Sequence, residues 1–329
     1  MPKSNILKSQ AALRAFRRNL LEWYGAHKRP LPWRGTRDPY GIWISEIMLQ
    51  QTRVAAVLKH YKLFLKRFPT IERLAEANET EVLAVWSGLG YYRRARMLYR
   101  TARQVAAESM GLLPSSSMEL RKLPGIGRYT ANAIASIAFG EPVAVVDGNV
   151  ERVLLRILGK PLGAAEAWTT AQQVLDSSSP GDFNQAMMEL GATLCVPGAP
   201  LCNRCPVKRQ CASRGLNPKK PFPPELRLRK SAQVCLRRSG DRILLRRRPR
   251  NERLMPGMWE LPQFRNTRRA NPLLVARHSI TTTDWTVSVF AGNRGGVGKK
   301  TSWIELRDLA RFPLTGLTRK ILRKLSLLQ

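Results

Sequence analysis

Two carboxylates, a glycine hairpin and four thiols are the residues of this chain whose types and spacing can do chemistry. Glu46 lies in Ser45-Glu46-Ile47-Met48-Leu49-Gln50-Gln51-Thr52, with Ile44, Ile47 and Met48 as apolar neighbours. An acid so surrounded has its charged form disfavoured and its pKa raised, which is what a general acid at neutral pH requires. The plainer alternative is a glutamate on an exposed helix face. Asp147 follows the apolar run Val143-Ala144-Val145-Val146 and precedes Gly148 and Asn149. It either supplies a second carboxylate or merely caps the helix that starts near Val150. Between the two acids stands Leu123-Pro124-Gly125-Ile126-Gly127, a hairpin signal ahead of the small, apolar helix Tyr129 to Phe139. Gly125 and Gly127 let the backbone turn and come close to a partner, and the free N–H groups at a helix start suit a phosphate. A carboxylate just beyond a phosphate-binding hairpin is an arrangement for chemistry on a nucleotide.

The four thiols form Cys195-x6-Cys202-x2-Cys205-x5-Cys211. That set suits a tetrahedral zinc site or a four-iron cluster. Spacing does not choose between them, and frequency alone favours zinc. Cys235 stands apart in a strand pattern and reads as a buried core thiol.

These residues need elements to position them. Leu13, Phe16, Leu20 and Leu21 mark an amphipathic first helix, followed by the extended, aromatic and basic Pro30-Leu31-Pro32-Trp33-Arg34. Residues 57 to 110 read as further amphipathic helices. Gly88-Leu89-Gly90-Tyr91-Tyr92-Arg93-Arg94 interrupts them. A turn followed by aromatics and cations suits a nucleic-acid backbone with a wedging side chain; a helix–helix turn with core tyrosines is the alternative, preferred for Tyr92. Residues 150 to 197 are helical again. The Pro- and Lys-rich stretch 214–230 is a linker, and beyond it the period changes. Ala232, Val234 and Leu236 alternate, Ser239-Gly240-Asp241 turns, and Ile243 to Leu245 returns as a hairpin. Trp285, Val287 and Val289 alternate in another strand, and Leu306 to Leu325 closes the chain helically. The expected architecture is an all-α domain over 1–213, a linker over 214–230, and a smaller α+β domain over 231–329.

The formal net charge of this 329-residue chain is +33. Residues 218 to 329 contribute +19 and the rest +14, so both parts are basic. A polyanion partner follows, nucleic acid before a membrane surface. No stretch approaches the ~18 apolar residues of a membrane span, and no secretory core opens the chain. The clustered cysteines do not resemble a secreted disulfide scaffold. A reducing compartment, the bacterial cytoplasm at the nucleoid, is expected, with the chain acting as a monomer.

From about residue 10 to 211 the chain resembles the helix-hairpin-helix DNA glycosylases of the endonuclease-III-like superfamily, and within it the adenine DNA glycosylases. SEIMLQQTRV, GLGYYRRAR, LPGIGRYTANAI, VVDGNVERV and the cysteine set carry the resemblance. It implies removal of adenine mispaired with 8-oxoguanine or guanine in double-stranded DNA, and a [4Fe–4S] cluster on Cys195, Cys202, Cys205 and Cys211. It implies Glu46 as the acid that protonates adenine, Asp147 as stabiliser of, or nucleophile towards, the sugar cation, and Asn149 as the residue that positions Asp147 or the water. Arg34, Trp33 and Tyr129 would line the base pocket. Gln51 and Tyr91 would fill or wedge the vacated stack, with Gly88, Gly125 and Gly127 close to the backbone. Bifunctional members carry lysine where this chain has Tyr129, and lysine forms the Schiff base that permits strand cleavage; tyrosine cannot, so a monofunctional enzyme is implied.

The C-terminal part resembles the Nudix-like domain with which adenine glycosylases read 8-oxoguanine. Residues 244 to 249, 255 to 262 and 277 to 281 carry that likeness, with His278, Ile280 and Thr281 as the base-reading candidates. No acidic pyrophosphatase helix follows Phe264, so nucleoside triphosphate hydrolysis is not expected. The family's Phe-Ser-His triplet corresponds to Ile280-Thr281-Thr282, which keeps an apolar wedge and a hydroxyl but no histidine. Two competing functions are a bifunctional lyase for oxidised pyrimidines, disfavoured by Tyr129, and a non-catalytic DNA-binding protein, disfavoured by the presence of both Glu46 and Asp147.

Overall fold

The computed structural model describes residues 6–214, 227–252, 254–263, 271–280, 282–292 and 300–328. Among the described residues twelve α-helices run in chain order: α1 (Gln10–His27), α2 (Pro39–Leu49), α3 (Val54–Arg67), α4 (Ile71–Glu76), α5 (Glu79–Trp86), α6 (Arg93–Ser109), α7 (Ser117–Leu120), α8 (Arg128–Ala138), α9 (Gly148–Leu158), α10 (Ala164–Val174), α11 (Pro180–Thr193) and α12 (Gly316–Lys324). Seven strands precede α12: β1 (Leu228–Leu236), β2 (Arg238–Ser239), β3 (Arg242–Arg247), β4 (Trp259–Glu260), β5 (Leu274–Ile280), β6 (Thr283–Ala291) and β7 (Thr301–Glu305). The architecture is thus a helical fold followed by a smaller strand-containing part. Among the described residues no helix is long and apolar enough to cross a membrane.

The chain forms two compact units that cut across its order. One gathers residues 1–51 and 104–222, the other 52–103 and 223–329. Helices α3 to α5 and most of α6 therefore cluster with the C-terminal strands, a grouping that the change of period near residue 231 does not reveal.

In the first unit, the apolar stripe of α1 (Leu13, Phe16, Leu20, Tyr24) is buried with Val153, Leu154 and Ile157 of α9 and Phe183, Met187 and Leu190 of α11. Two glycines on α11 permit close helix contact. A Cβ at Gly181 would stand 2.7 Å from the Ser136 carbonyl oxygen of α8, and one at Gly191 would stand 2.6 Å from the Asn149 Cβ of α9. Any side chain at either position would push α11 off its neighbours.

In the second unit, Phe64 meets Phe68 and Trp86 edge to face at 5.0 and 6.0 Å. Its strands form two sheets. β6 lies between β1, which it pairs in parallel, and β5, which it pairs antiparallel. β3 pairs with β2, β4 and β7, all antiparallel. The hairpin expected to join Ala232–Leu236 to Ile243–Leu245 is therefore narrower: Gly240 turns β2 into β3, while β1 belongs to the other sheet. Val234, Val287, Val289, Ile243 and Leu245 share a core with Ile321 and Leu322 of α12. Cys235 is buried in β1, as its strand pattern implied. Of the linker, residues 215–226 lie outside the described set, and Leu228 to Lys230 already belong to β1.

Candidate active site

Asp38 starts α2 by accepting from the Tyr40 and Gly41 amides at 3.1 and 2.8 Å, with Pro39 at the first helical position. The helix is apolar nearly all round, so Glu46 is carried inward and is only 5% exposed. Burial pushes its carboxyl up to about 7. The Tyr129 hydroxyl, hydrogen-bonded to it, pulls down, the Asp147 charge pushes up, and Arg34 pulls down. Glu46 Oε2 is buried and has no hydrogen-bond partner among the described residues. Near neutrality this group holds a proton with no protein acceptor for it, which is the condition for giving the proton to a ligand.

Tyr129 enters from the first turn of α8, which begins after the Gly125 turn (φ +76°) with Gly127 as its cap. Burial first, then Glu46 and Asp147, raise its hydroxyl well above the usual value, so it stays a phenol. That hydroxyl also lies 3.2 Å from the Met188 sulfur.

Asp147 ends an extended run that pairs with no strand among the described residues. Side chains serve the backbone of that run instead. Asn132 Nδ2 donates to the Ala144 carbonyl (2.7 Å), Gln172 Oε1 accepts from the Ala144 amide (2.9 Å), Asn184 Nδ2 donates to the Val143 carbonyl (2.9 Å), and Asn184 Oδ1 accepts from the Val145 amide (3.1 Å). Three helices thereby fix the approach to Asp147. Its carboxylate caps α9, accepting from the amides of Asn149 and Val150 at 2.9 and 2.7 Å and from Asn149 Nδ2 at 2.9 Å. The capping and chemical readings are thus compatible: the donors that start the helix also aim the carboxylate. Arg152 ties Asn149 to the cysteine loop, donating to Asn149 Oδ1 (2.8 Å), the Gly191 carbonyl (2.7 Å) and the Cys195 carbonyl (2.8 Å). Beside Asp147 a cleft of about 590 Å³ opens, walled by Glu151 and Leu155 of α9 and Ala164, Ala167 and Trp168 of α10.

Arg34 and Trp33 follow α1 in a short 3-10 turn, and Trp33 is buried. Arg34 donates through Nη2 to Glu189 at 2.5 Å, while its Nη1 is buried without a partner among the described residues. Arg29 grips the same carboxylate with two side-chain bonds of 2.8 and 2.7 Å. Burial would raise Glu189, but these hydrogen bonds outweigh it and hold the carboxyl down at about 2. Sequence reading missed Glu189. The available signal was an acid inside the apolar run that forms α11, the same signal that exposed Glu46.

The four cysteines are the residues that can hold a metal centre. Burial pushes the Cys205 thiol up to about 11, and the negative charges of Cys195, Cys211 and Cys202 each add to the rise, so all three act on Cys205 electrostatically. Buried Arg156 donates to Cys195 Sγ at 3.2 Å and to the Val196 carbonyl at 2.8 Å. Among the described residues no three His, Cys, Asp or Glu side chains are gathered closely enough to hold a single ion.

Glu46, Tyr129, Asp147, Asn149 and Arg34 therefore come together in one unit, and the hairpin glycines introduce the helix that carries Tyr129. Gln51, exposed with φ 55°, follows Gln50, the C-cap of α2, in the same unit. Gly88 and Tyr91, and His278 and Ile280 of β5, belong to the other unit. His278 packs against α12, its ring 3.6 Å from where a Gly316 Cβ would lie, and Ile280 pairs with Thr283 at the end of β5. Thr281 lies outside the described residues.

Residues 44–171 match the family model of the HhH-GPD superfamily of base excision DNA repair proteins. The chain is 47% identical over 225 residues to the adenine DNA glycosylase of Homo sapiens, covering 64% of this chain and 41% of that protein. Among solved structures, a thermostable thymine-DNA glycosylase aligns with TM-score 0.58 at 31% identity, over 61% of this chain and 96% of that one. Endonuclease III, trapped as a covalent intermediate with DNA, aligns with TM-score 0.55 at 25% identity, over 63% of this chain and 97% of that one. The chain spans about half the length of the curated relatives it matches.

Proposed function

Because the chain belongs to the HhH-GPD superfamily of base excision DNA repair proteins, we propose that it is an adenine DNA glycosylase, hydrolysing the N-glycosyl bond of adenine mispaired with 8-oxoguanine or guanine in duplex DNA. The observation that carries this reading is the buried Glu46 carboxyl, pushed up to about 7 and hydrogen-bonded by Tyr129, with Asp147 close enough to raise it further.

Adenine stacked in a duplex is out of reach, so it has to be flipped into a pocket. In this reading Trp33, Arg34 and Tyr129 line that pocket, while Gln51 and Tyr91 occupy the opened stack. Adenine is a poor leaving group, and Glu46 gives it a proton through Oε2. The departing base leaves a cationic sugar, which faces the Asp147 carboxylate held by three N–H donors. Two carboxyls, one proton-bearing and one aimed by hydrogen bonds, are the expected apparatus for breaking a glycosidic bond. Tyr129 occupies the position where the lyase branch carries lysine. No amine stands there to attack the sugar; water adds at its C1′ and gives up a proton, so the product is an abasic site in an uncut strand.

Cys195, Cys202, Cys205 and Cys211 suit a [4Fe–4S] cluster by the chemistry of the donor set: four thiols close enough in sequence and in charge that three of them raise the pKa of Cys205. When bound, the cluster ties residues 195–211 together, and no step of the reaction passes through it. The three-part division, with a glycosylase domain over 1–213 and a Nudix-like lesion reader over 231–329, belongs to the same proposal, as do nucleoid-associated action in a bacterial cytoplasm and a monomeric state.

The test is single-turnover release of free adenine from an 8-oxoguanine:adenine duplex, with and without hot alkali. Free adenine with strand breaks appearing only after alkali supports the proposal. Breaks without alkali indicate a lyase, and no adenine at all leaves only a binding role.

A further inference from the structure

The turn between α5 and α6 is built in left-handed backbone. Gly88 has φ +113°, Gly90 +72° and Tyr91 +48°. A tyrosine at positive φ is strained and persists only where its surroundings hold it. Arg94 holds it from inside, donating to Thr52 Oγ1 at 3.0 Å and to the Leu89 and Gly90 carbonyls at 3.3 Å. Its guanidinium also stands 5.2 Å from the Tyr91 ring centroid. Trp86 Nε1 donates to the Gly90 carbonyl at 3.1 Å. The Tyr91 side chain itself is 46% exposed.

The two residues that bracket the turn converge on one distant atom. The Ser87 hydroxyl donates to the Leu314 carbonyl oxygen at 2.9 Å, and the Tyr92 hydroxyl donates to the same oxygen at 3.0 Å. Both side chains are buried. Arg319 Nε of α12 donates to the Ser87 hydroxyl at 3.1 Å. The shared acceptor is itself fixed. Trp259 of β4 donates its amide to the Pro313 carbonyl and accepts from the Thr315 amide, each at 2.9 Å, and Thr315 caps α12. One oxygen held by a strand and a helix cap thus sets the distance across the whole turn. Ser87 lies 227 residues from that oxygen in sequence, and Tyr92 lies 222.

We propose that the Leu314 carbonyl is a latch through which the C-terminal segment fixes the Gly88–Tyr92 turn and so presents Tyr91 to duplex DNA, with Ser87 and Tyr92 as positioning residues. This rests on the glycosylase reading and deepens it. The C-terminal segment then acts on DNA in two ways: by whatever lesion contacts it makes, and by holding the wedge carried by the helices. Removing it would disturb both at once.

The test is a double-mutant cycle on the full chain. Ser87→Ala and Tyr92→Phe are made singly and together, each with Tyr91 present and with Tyr91→Ala. The readout is equilibrium binding to an 8-oxoguanine duplex bearing a 2′-fluorinated adenosine, which resists cleavage. Loss of two hydrogen bonds should weaken binding about tenfold when Tyr91 is present, and no more than about twofold when it is alanine. Thermal midpoints should fall equally in both backgrounds. Equal losses of binding in both backgrounds would mean that the hydrogen bonds only stabilise the fold, and would overturn the proposal. So would a Tyr91→Ala chain that binds as tightly as its parent, or a parent that binds no duplex. If the double variant does not fold, Tyr92→Phe alone, which removes one hydroxyl, carries the cycle. Adenine release by the unaltered chain, measured in parallel, separates the two readings. Release with an additive cycle sinks the latch alone, whereas coupled binding without release sinks the glycosylase reading alone.

Discussion

The Tyr129 hydroxyl hydrogen-bonds the Glu46 carboxyl from the first turn of the helix that follows the hairpin. Burial and Asp147 raise the Glu46 pKa, Tyr129 and Arg34 lower it, and the balance stands at about 7. An acid catalyst works in its protonated form. Adenine release should therefore be full below neutrality and fall about tenfold per pH unit above it. Tyr129→Phe removes a downward pull, so its alkaline limb should move to higher pH. Single-turnover pH profiles of both chains check this; a limb that stays in place or moves down would show that Tyr129 does not set the acid.

Glu189 is held at about 2 by Arg29 and Arg34. A depressed carboxyl contributes stability above the unfolded value, which is lost as pH falls through the folded one. Glu189→Gln leaves Arg34, already carrying a buried unpartnered Nη1, with its counter-charge removed. Unfolding free energy at pH 7 should drop by about 3 kcal/mol or more, and the gap between the two chains should narrow as pH approaches 2. A variant as stable as its parent at pH 7 would mean that the pair is nearly neutral in net effect.

Much of this site is legible in the sequence because its parts are local. Glu46 reveals itself as an acid among Ile44, Ile47 and Met48, and Asp147 as a cap ahead of Val150, since both signals lie within a few residues. Glu189 and Asn184 act across 155 and 39 residues on Arg34 and Val145, and no local period records such a partner. The same limit hid the sheet order. β1 and β3 are neighbours in sequence and read as a hairpin, yet β1 pairs in parallel with β6, far along the chain. The grouping of residues 52–103 with 223–329 rests on contacts such as Tyr92 to Leu314, which only the folded chain brings together.

The cysteine set carries its own prediction. Four thiols at positions 195, 202, 205 and 211 should give a brown protein with about four irons per chain. Elemental analysis checks this together with the visible spectrum. A colourless, fully active protein with one zinc would refute the cluster.

Ile280 ends β5 in register with Thr283. If it meets a base, Ile280→Ala should reduce the preference for 8-oxoguanine over guanine opposite adenine while leaving the salt dependence of binding unchanged, since a base contact neutralises no phosphate. Excision rates opposite each base and a salt titration separate these effects. Truncation is a poorer probe, because it would also strip Leu314 from Ser87 and Tyr92. A preference unaltered in Ile280→Ala would remove this residue from lesion reading.

Glu46→Gln keeps the size of the side chain and removes the transferable proton. Its single-turnover release of free adenine from an 8-oxoguanine:adenine duplex, compared with the unaltered chain at pH 6.5 or about that value, should fall by at least ~100-fold while duplex affinity stays within about threefold. Release within a few-fold of the unaltered chain would mean that the buried carboxyl at position 46 is not the acid that frees the base.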